Sequence, residues 1–404
     1  MALTDRSIRH AQASDKPRKL ADGKGLYLLI TRAGSKLWRM DYRFLGKRKT
    51  LSLGAYPGTT LQAAQAAREA ARQALKAGTD PAARGREARH PGRDLAARAW
   101  DPARPDARPP APGNGELLLE WLNPDSAFGF RATRRLEAVR TPYQTLEVFD
   151  TPQWGKLFRL DGRYMTSEGD EFFYHEAMVH PMAVSHPAPR TALVIGGGDG
   201  GSSEELLKHP SMERVVMAEL DGEVVRIARA HLGAVHRGVF ADPRLEVRIG
   251  DGWVLAEALA GQGERFDLIV FDLTDPDSPA HRLYTRAFFL LAKELLNPGG
   301  AISLHLGSPI FNPDQVRKLL ANLAGVFRIL RPLGLYIPLY GCYWGLAVAS
   351  DGLDPLAADG ARVARRLQAR NILGLRYYNE EIHRALFALP NFYRDLLPPK
   401  AGEI

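Results

Sequence analysis

The sequence predicts an α/β protein: a mostly parallel, doubly wound sheet preceded by a β-hairpin region, with a small α+β module in front. Three observations lead there. From residue 190 onward, short runs rich in Val, Ile and Leu alternate with helical stretches, the pattern of parallel strands covered on both faces by crossover helices. Ahead of them, alternating apolar runs are punctuated by Asn123-Pro124, Thr151-Pro152 and Asp161-Gly162, which read as turns. Between residues 80 and 113 the composition breaks. Seven prolines and seven arginines fall there, with little large apolar surface beyond Leu95 and Trp100. Such a stretch cannot bury enough surface to offset its ordering entropy, so it reads as a disordered basic linker.

Composition limits the function classes. The 404 residues, 45% apolar and 25% charged, suit two or three globular domains. No apolar run approaches the ~20 residues a membrane helix needs. The start, MALTDRSIRHAQ, has no apolar core of a secretory signal. The single cysteine, Cys342, excludes a disulfide framework and a cysteine-rich zinc site. A cytoplasmic protein without membrane contact is the expectation. The net charge of +8 is unevenly spread: residues 1–110 hold 23 basic against 10 acidic side chains, leaving 31 against 36 for the remainder. The front therefore suits a polyanion and the back a cation.

In the front module, GLYLLIT (25–31), KLWRMDYRF (36–44) and RKTLSLG (48–54) read as three strands, and 61–77 as a helix. The hairpin region holds ELLLEWL, RRLEAVRT, YQTLEVFDT and GKLFRLDG. The main sheet is read from TALVI (191–195), RVVMAE (214–219), LEVRI (245–249), FDLIVF (266–271) and AISLHL (301–306), with GLAVAS (345–350) as a late antiparallel strand. Helices are expected near 203–208, 223–232, 253–260 and 284–296.

Chemistry gathers at the strand ends. IGGGDGG (195–201) follows the first strand, with Gly196, Gly198 and Gly201 in G-x-G-x-x-G spacing. Glu219 ends the second strand, placed to bond ribose hydroxyls. Asp251-Gly252 and Asp272 end the third and fourth. All face the crevice where open α/β sheets bind ligands. Asp199 puts a carboxylate where a dinucleotide would place phosphate, a like-charge clash of about 4 kcal/mol at ~4 Å near a surface. The loop therefore suits a nucleoside carrying a sulfonium, and a nicotinamide dinucleotide is the weaker reading. Asp275 in FDLTDP, and Asp170, Glu171 and Glu176 around Tyr174 and His175, suggest an acidic cleft for a polycation. His175 and His180 lie five apart rather than four, so HEAMVH is not a zinc-protease pattern, and no metal is expected.

Over about 115–398 the sequence resembles the polyamine aminopropyltransferases, the spermidine synthase family. The resemblance rests on YQTLEVF (143–149), DEFFYHEAMVHP (170–181), ALVIGGGDGGSSEELLKHP (192–210), GDG (250–252), DLTDP (272–276), LYTRAFF (283–289), YIPLY (336–340) and RYYNEEIHRALFALP (376–390). It implies a hairpin region over 114–185 and a Rossmann-like, methyltransferase-type catalytic domain over 186–398. It also implies transfer of an aminopropyl group from decarboxylated S-adenosylmethionine, a co-substrate rather than a tightly bound cofactor, to putrescine or a related polyamine. By position, Gln144, Gly196, Gly198, Asp199, Glu219, Asp251 and Gly252 would hold that donor. Asp272 would be the general base, and Tyr174, His175, Asp275 and Tyr340 would place the amine. A homo-oligomer, dimer or tetramer, is implied as well. GCYWG after Tyr340, Leu273 in FDLTDP and DPDSPAHRLYT depart from the family's usual strings, which bears on amine identity more than on reaction type. An S-adenosylmethionine-dependent methyltransferase, or a DNA-binding fusion with a vestigial transferase, are the alternatives.

Residues 3–81 resemble the arm-type DNA-binding domain of phage and genomic-island integrases. The resemblance implies DNA contact through residues 1–80, with Arg39, Arg43, Lys47, Arg48 and Lys49 as its basic hairpin. A passive, solvated basic extension stays open beside it.

Overall fold

A computed structural model describes residues 3–76 apart from a few loop positions (12, 13, 15, 33, 45 and 46), residue 81, residues 115–276 and residues 278–399. The expected linker at 81–113 lies, but for residue 81, outside the described residues. The chain divides into two compact units, residues 1–105 and 106–404.

The first unit is a four-stranded antiparallel sheet in the order β1-β2-β3-β4, formed by Arg18–Gly23, Leu26–Ile30, Lys36–Phe44 and Lys47–Tyr56. The extra strand corrects the three-stranded expectation. RKLADG, the segment of β1, is short, polar and largely exposed; its pairing with β2, not its own pattern, makes it a strand. Alternation in β3 turns Trp38, Met40 and Tyr42 inward and Arg39, Asp41 and Arg43 outward. The helix Leu61–Lys76 packs across the inner face through Ala64 and Ala71. Asp22, almost fully buried, ties it down by accepting from Gln65 at 2.9 Å and Arg68 at 3.3 Å.

The second unit opens with a two-stranded hairpin, β5 (Glu116–Asn123) and β6 (Ser126–Ala132). A four-stranded antiparallel sheet follows in the order β10-β9-β8-β7, from Arg163–Ser167, Gly155–Leu160, Thr145–Thr151 and Arg134–Arg140. β6 escaped the sequence reading because Gly129 and the small residues of SAFGFRA dilute its apolar signal. The Rossmann-like sheet has seven strands in the order β13-β12-β11-β14-β15-β17-β16. These are β11 (Thr191–Gly196), β12 (Arg214–Glu219), β13 (Leu245–Ile249), β14 (Phe266–Asp272), β15 (Leu296–Gly307), β16 (Ile329–Ile337) and β17 (Cys342–Ser350). β11 to β15 run parallel, while β17 is antiparallel to β15 and to β16. The order reverses between β11 and β14, so the loops leaving those two neighbours diverge and open a crevice at their carboxyl ends. Two apolar layers, one on each face, hold the sheet. The helix Glu171–Ser185, nearly all buried, crosses one face and brings Tyr174 and His175 to the crevice.

Candidate active site

The first loop is shaped by what it passes. Gly196 and Gly197 adopt φ of +80° and +68°, and Gly200 is left-handed at +85° before the helix Gly201–Leu207. A Cβ on Gly196 would collide with the Asp272 carbonyl, one on Gly198 would sit 2.8 Å from a Glu219 oxygen, and one on Gly201 would enter the His175 imidazole. Only glycine lets β11, β12, β14 and the buried helix converge here. Glu219 accepts N–H bonds from Gly198 at 3.1 Å and Asp221 at 2.9 Å. Burial pushes its carboxyl up to about 7.

His175 lies between two carboxylates. Nδ1 is 2.9 Å from Glu171 and Nε2 is 3.4 Å from Asp199. Burial opposes its charge, but Asp199, then the bond to Glu171, outweighs that and holds the imidazole well above its ordinary value. Asp199 is correspondingly held below the usual carboxylate range: burial would raise it, and the His175 charge prevails. Carboxylate oxygens of Asp199 and Asp272 and an His175 nitrogen lie within 4.8 Å of one another. A metal would need a lone pair from histidine. His175 is already engaged by Glu171 and Asp199, which leaves the Asp199 and Asp272 carboxylates as the groups of the cluster that suit a cation.

Asp272 closes β14. Its Oδ2 is buried, and burial, then the Asp199 charge, raises its carboxyl against the opposing pull of His175, Ser202 and Tyr174. The Tyr174 phenol lies beside it, itself raised by burial and by Asp272. The Tyr174 and Tyr340 rings meet edge to face at 6.0 Å, and the Tyr340 hydroxyl donates to the Met165 carbonyl at 3.0 Å. Two cavities, of about 140 and 120 Å³, share Met165, Tyr174, Leu273, Thr274 and Tyr340 as walls. Every residue expected to bind the nucleoside (Gln144, Gly196, Gly198, Asp199, Glu219, Asp251, Gly252), with His175 and Asp272, lines the larger one. Asp275 lines only the smaller.

Similarity to known proteins follows this geometry. Residues 171–354 match the Spermine/spermidine synthase domain. A polyamine aminopropyltransferase of Nitrosomonas europaea is 47% identical over 299 residues, 74% of this chain and 91% of the relative. The chain belongs to the polyamine aminopropyltransferase family. The Aeropyrum pernix polyamine aminopropyltransferase is 38% identical over 292 residues, covering 69% of this chain and 90% of its own length. Among solved structures, a spermidine synthase in complex with the transition-state analogue AdoDATO aligns with a TM-score of 0.66 at 32% identity, over 72% of this chain and 98% of that one. The Thermotoga maritima spermidine synthase aligns with a TM-score of 0.65 at 32% identity, over 74% and 99%. Residues 3–88 match the Arm DNA-binding domain.

Three acids expected in this aminopropyltransferase-family cleft are structural instead. Asp170 is buried, accepting from Ser167 at 2.6 Å and the Leu339 N–H at 2.7 Å. Glu171 pairs with Arg237 as well as His175. Glu176 accepts three successive backbone N–H groups, from Arg376, Tyr377 and Tyr378. Helical periodicity turns Glu176 away from the crevice, whereas Asp170 and Glu171, one turn before Tyr174 and His175, are taken up by neighbouring groups; burying all three demands such partners. Asp251 caps the helix Gly252–Gly261 through Trp253 and Val254, and its other oxygen meets Arg282 at 3.3 Å. Arg282, Glu120, Arg163 and His305 escaped the sequence reading. Only Arg163, a charge opening a strand directly after the Asp161-Gly162 turn, carried a local hint.

Proposed function

We propose that this chain transfers the aminopropyl group of decarboxylated S-adenosylmethionine to putrescine, giving spermidine and 5′-methylthioadenosine. The observation that carries the reading is Asp272 in the wall of the cavity lined by nucleoside-binding groups, next to Leu273, Thr274 and the Tyr174 and Tyr340 rings that this cavity shares with a second one lined by Glu120 and Asp275. In the larger cavity Glu219 would take the ribose hydroxyls and Asp251 the adenine edge, displacing Arg282. The donor's ammonium would enter the Asp199–His175–Asp272 cluster. Its sulfonium would face Asp272 and the tyrosines, an electron-rich wall that favours positive charge.

A primary amine arrives through the smaller cavity protonated, with a pKa near ~10.4, and its attacking end passes the shared wall to Asp272 in the larger one. Asp272 holds that ammonium and accepts its proton. The freed nitrogen lone pair attacks the aminopropyl carbon next to sulfur. The C–S electron pair leaves with sulfur, turning sulfonium into neutral thioether. Positioning of the two reactants supplies most of the acceleration, and no enzyme nucleophile takes part. Ordinary S-adenosylmethionine would add a carboxylate beside Asp199, which disfavours the methyltransferase reading. Purified protein with putrescine and either donor, read by mass spectrometry, tests this. Spermidine from the decarboxylated donor alone supports it, and a methylated amine refutes it.

For the front module we propose DNA contact through the open sheet face, supported by Arg39, Arg43 and Arg48 lying there; Arg43 faces Arg48 in register. Lys49 pairs with inward-facing Tyr42 and lies over the Phe44 ring, on the other face. The Lys47 side chain lies outside the described residues. Self-association is proposed through the β5–β6 hairpin, where Leu117, Leu119 and Trp121 are 51%, 46% and 66% exposed on one face.

A further inference from the structure

The smaller cavity holds a cation that an amine acceptor does not call for. Arg163 opens β10, and its guanidinium reaches Asp275 with Nη1 2.8 Å from Oδ2. Asp275 is the carboxylate nearest Asp272 in sequence on this wall, and so the obvious receiver for a remote ammonium of the acceptor. Among the described residues the cavity's other carboxylate is Glu120 on β5, one oxygen of which accepts the Tyr164 N–H at 2.5 Å. Burial, against the opposing pull of that bond, pushes Glu120 up to about 7. His305 approaches Asp275 only at 3.9 Å.

We infer that Arg163 sets acceptor choice: by occupying Asp275 it leaves one carboxylate, Glu120, among the described residues that line the cavity, and so room for an amine with a single remote cation. A diamine bound with its attacking nitrogen at Asp272 has one remote ammonium, which Glu120 compensates. A triamine has two. Its second ammonium finds Asp275 already paired and the guanidinium beside it, and a like-charge contact in a partly desolvated cavity is strongly unfavourable. Discrimination thus comes from a repulsive element as much as from an attractive one. Arg163 is a specificity residue in this account and touches no reacting atom.

The inference rests on the aminopropyl-transfer reading, and the experiment separates the two. The full chain is assayed with decarboxylated S-adenosylmethionine and either putrescine or spermidine as acceptor. The ratio of kcat/KM for triamine over diamine is compared among wild type, Arg163→Leu, Arg163→Gln and Arg163→Lys. Removing the charge should raise that ratio about tenfold or more, chiefly through a lower triamine KM, while Arg163→Lys keeps it near the wild-type value. Two neutral variants guard against one failing to fold. A ratio unmoved by both, in a wild type that uses putrescine, overturns the inference and leaves the reaction standing. No product from wild type with either amine overturns the functional reading and this inference with it.

Discussion

Replacing Asp272 by Asn separates catalysis from stability. Asn keeps the shape but cannot hold an ammonium by charge or take its proton. General-base assistance contributes about 10²–10⁴-fold, and the lost charge attraction adds to it, so kcat should fall at least about 10³-fold, roughly 4 kcal/mol in barrier. Stability should move the other way. Carboxylate oxygens of Asp272 and Asp199 lie within 4.8 Å, a repulsion of roughly 3 kcal/mol at an effective dielectric near 20, part of which the His175 charge offsets. Because the folded-state carboxyl of Asp272 is raised, its penalty is absent at low pH and grows as pH rises through that raised value; Asn carries none. The variant should therefore melt at or above the wild-type temperature at neutral pH and match it in acid. The assay pairs initial rates with thermal melts across pH. Turnover within tenfold of wild type, or a neutral-pH melting temperature several degrees lower, would refute the reasoning.

Three further predictions concern separate parts of the molecule. With Glu219 titrating near 7, it is protonated below that pH and loses acceptor capacity for hydroxyls, so kcat/KM for the donor should fall as pH drops through 7. Glu219→Gln should raise donor KM about 10–100-fold and abolish that dependence. Gly201→Ala drives a methyl into the His175 ring and should cost about 1–3 kcal/mol of stability, seen as a lower denaturant midpoint. In the front module, Arg43→Gln with Arg48→Gln should weaken DNA binding at low salt and flatten the log–log salt slope by about 2; unchanged binding would assign the basic face to solvent.

The central sheet was legible because its inner strands are buried on both faces and read as apolar runs: RVVMAE carries the observed bounds to the residue, as does the half-buried edge strand LEVRI through its alternation. The strand-end acids were legible for a related reason, since topology alone places Glu219, Asp251 and Asp272 at one edge. Elements whose apolar pattern is diluted were not. β16, with Pro332 and Gly334, becomes a strand only through β17. Charge pairing was invisible too. Asp275 and Arg163 lie 112 positions apart, and Glu171 and Arg237 lie 66 apart. Nothing local tells a carboxylate awaiting a substrate from one already neutralised by a distant guanidinium.

The β5–β6 hairpin is a thin partition with different duties on its two sides. Glu120 lines the smaller cavity, whereas Leu117 and Leu119, alternating with Leu118 and Glu120, face outward. A two-stranded ribbon holds its position largely by what presses on it. Covering the outer side with a second copy would steady Glu120 without touching the nucleoside pocket. Dilution would then change the apparent KM for amine and leave that for the donor alone, so the amount of enzyme in the cuvette becomes a variable in acceptor kinetics.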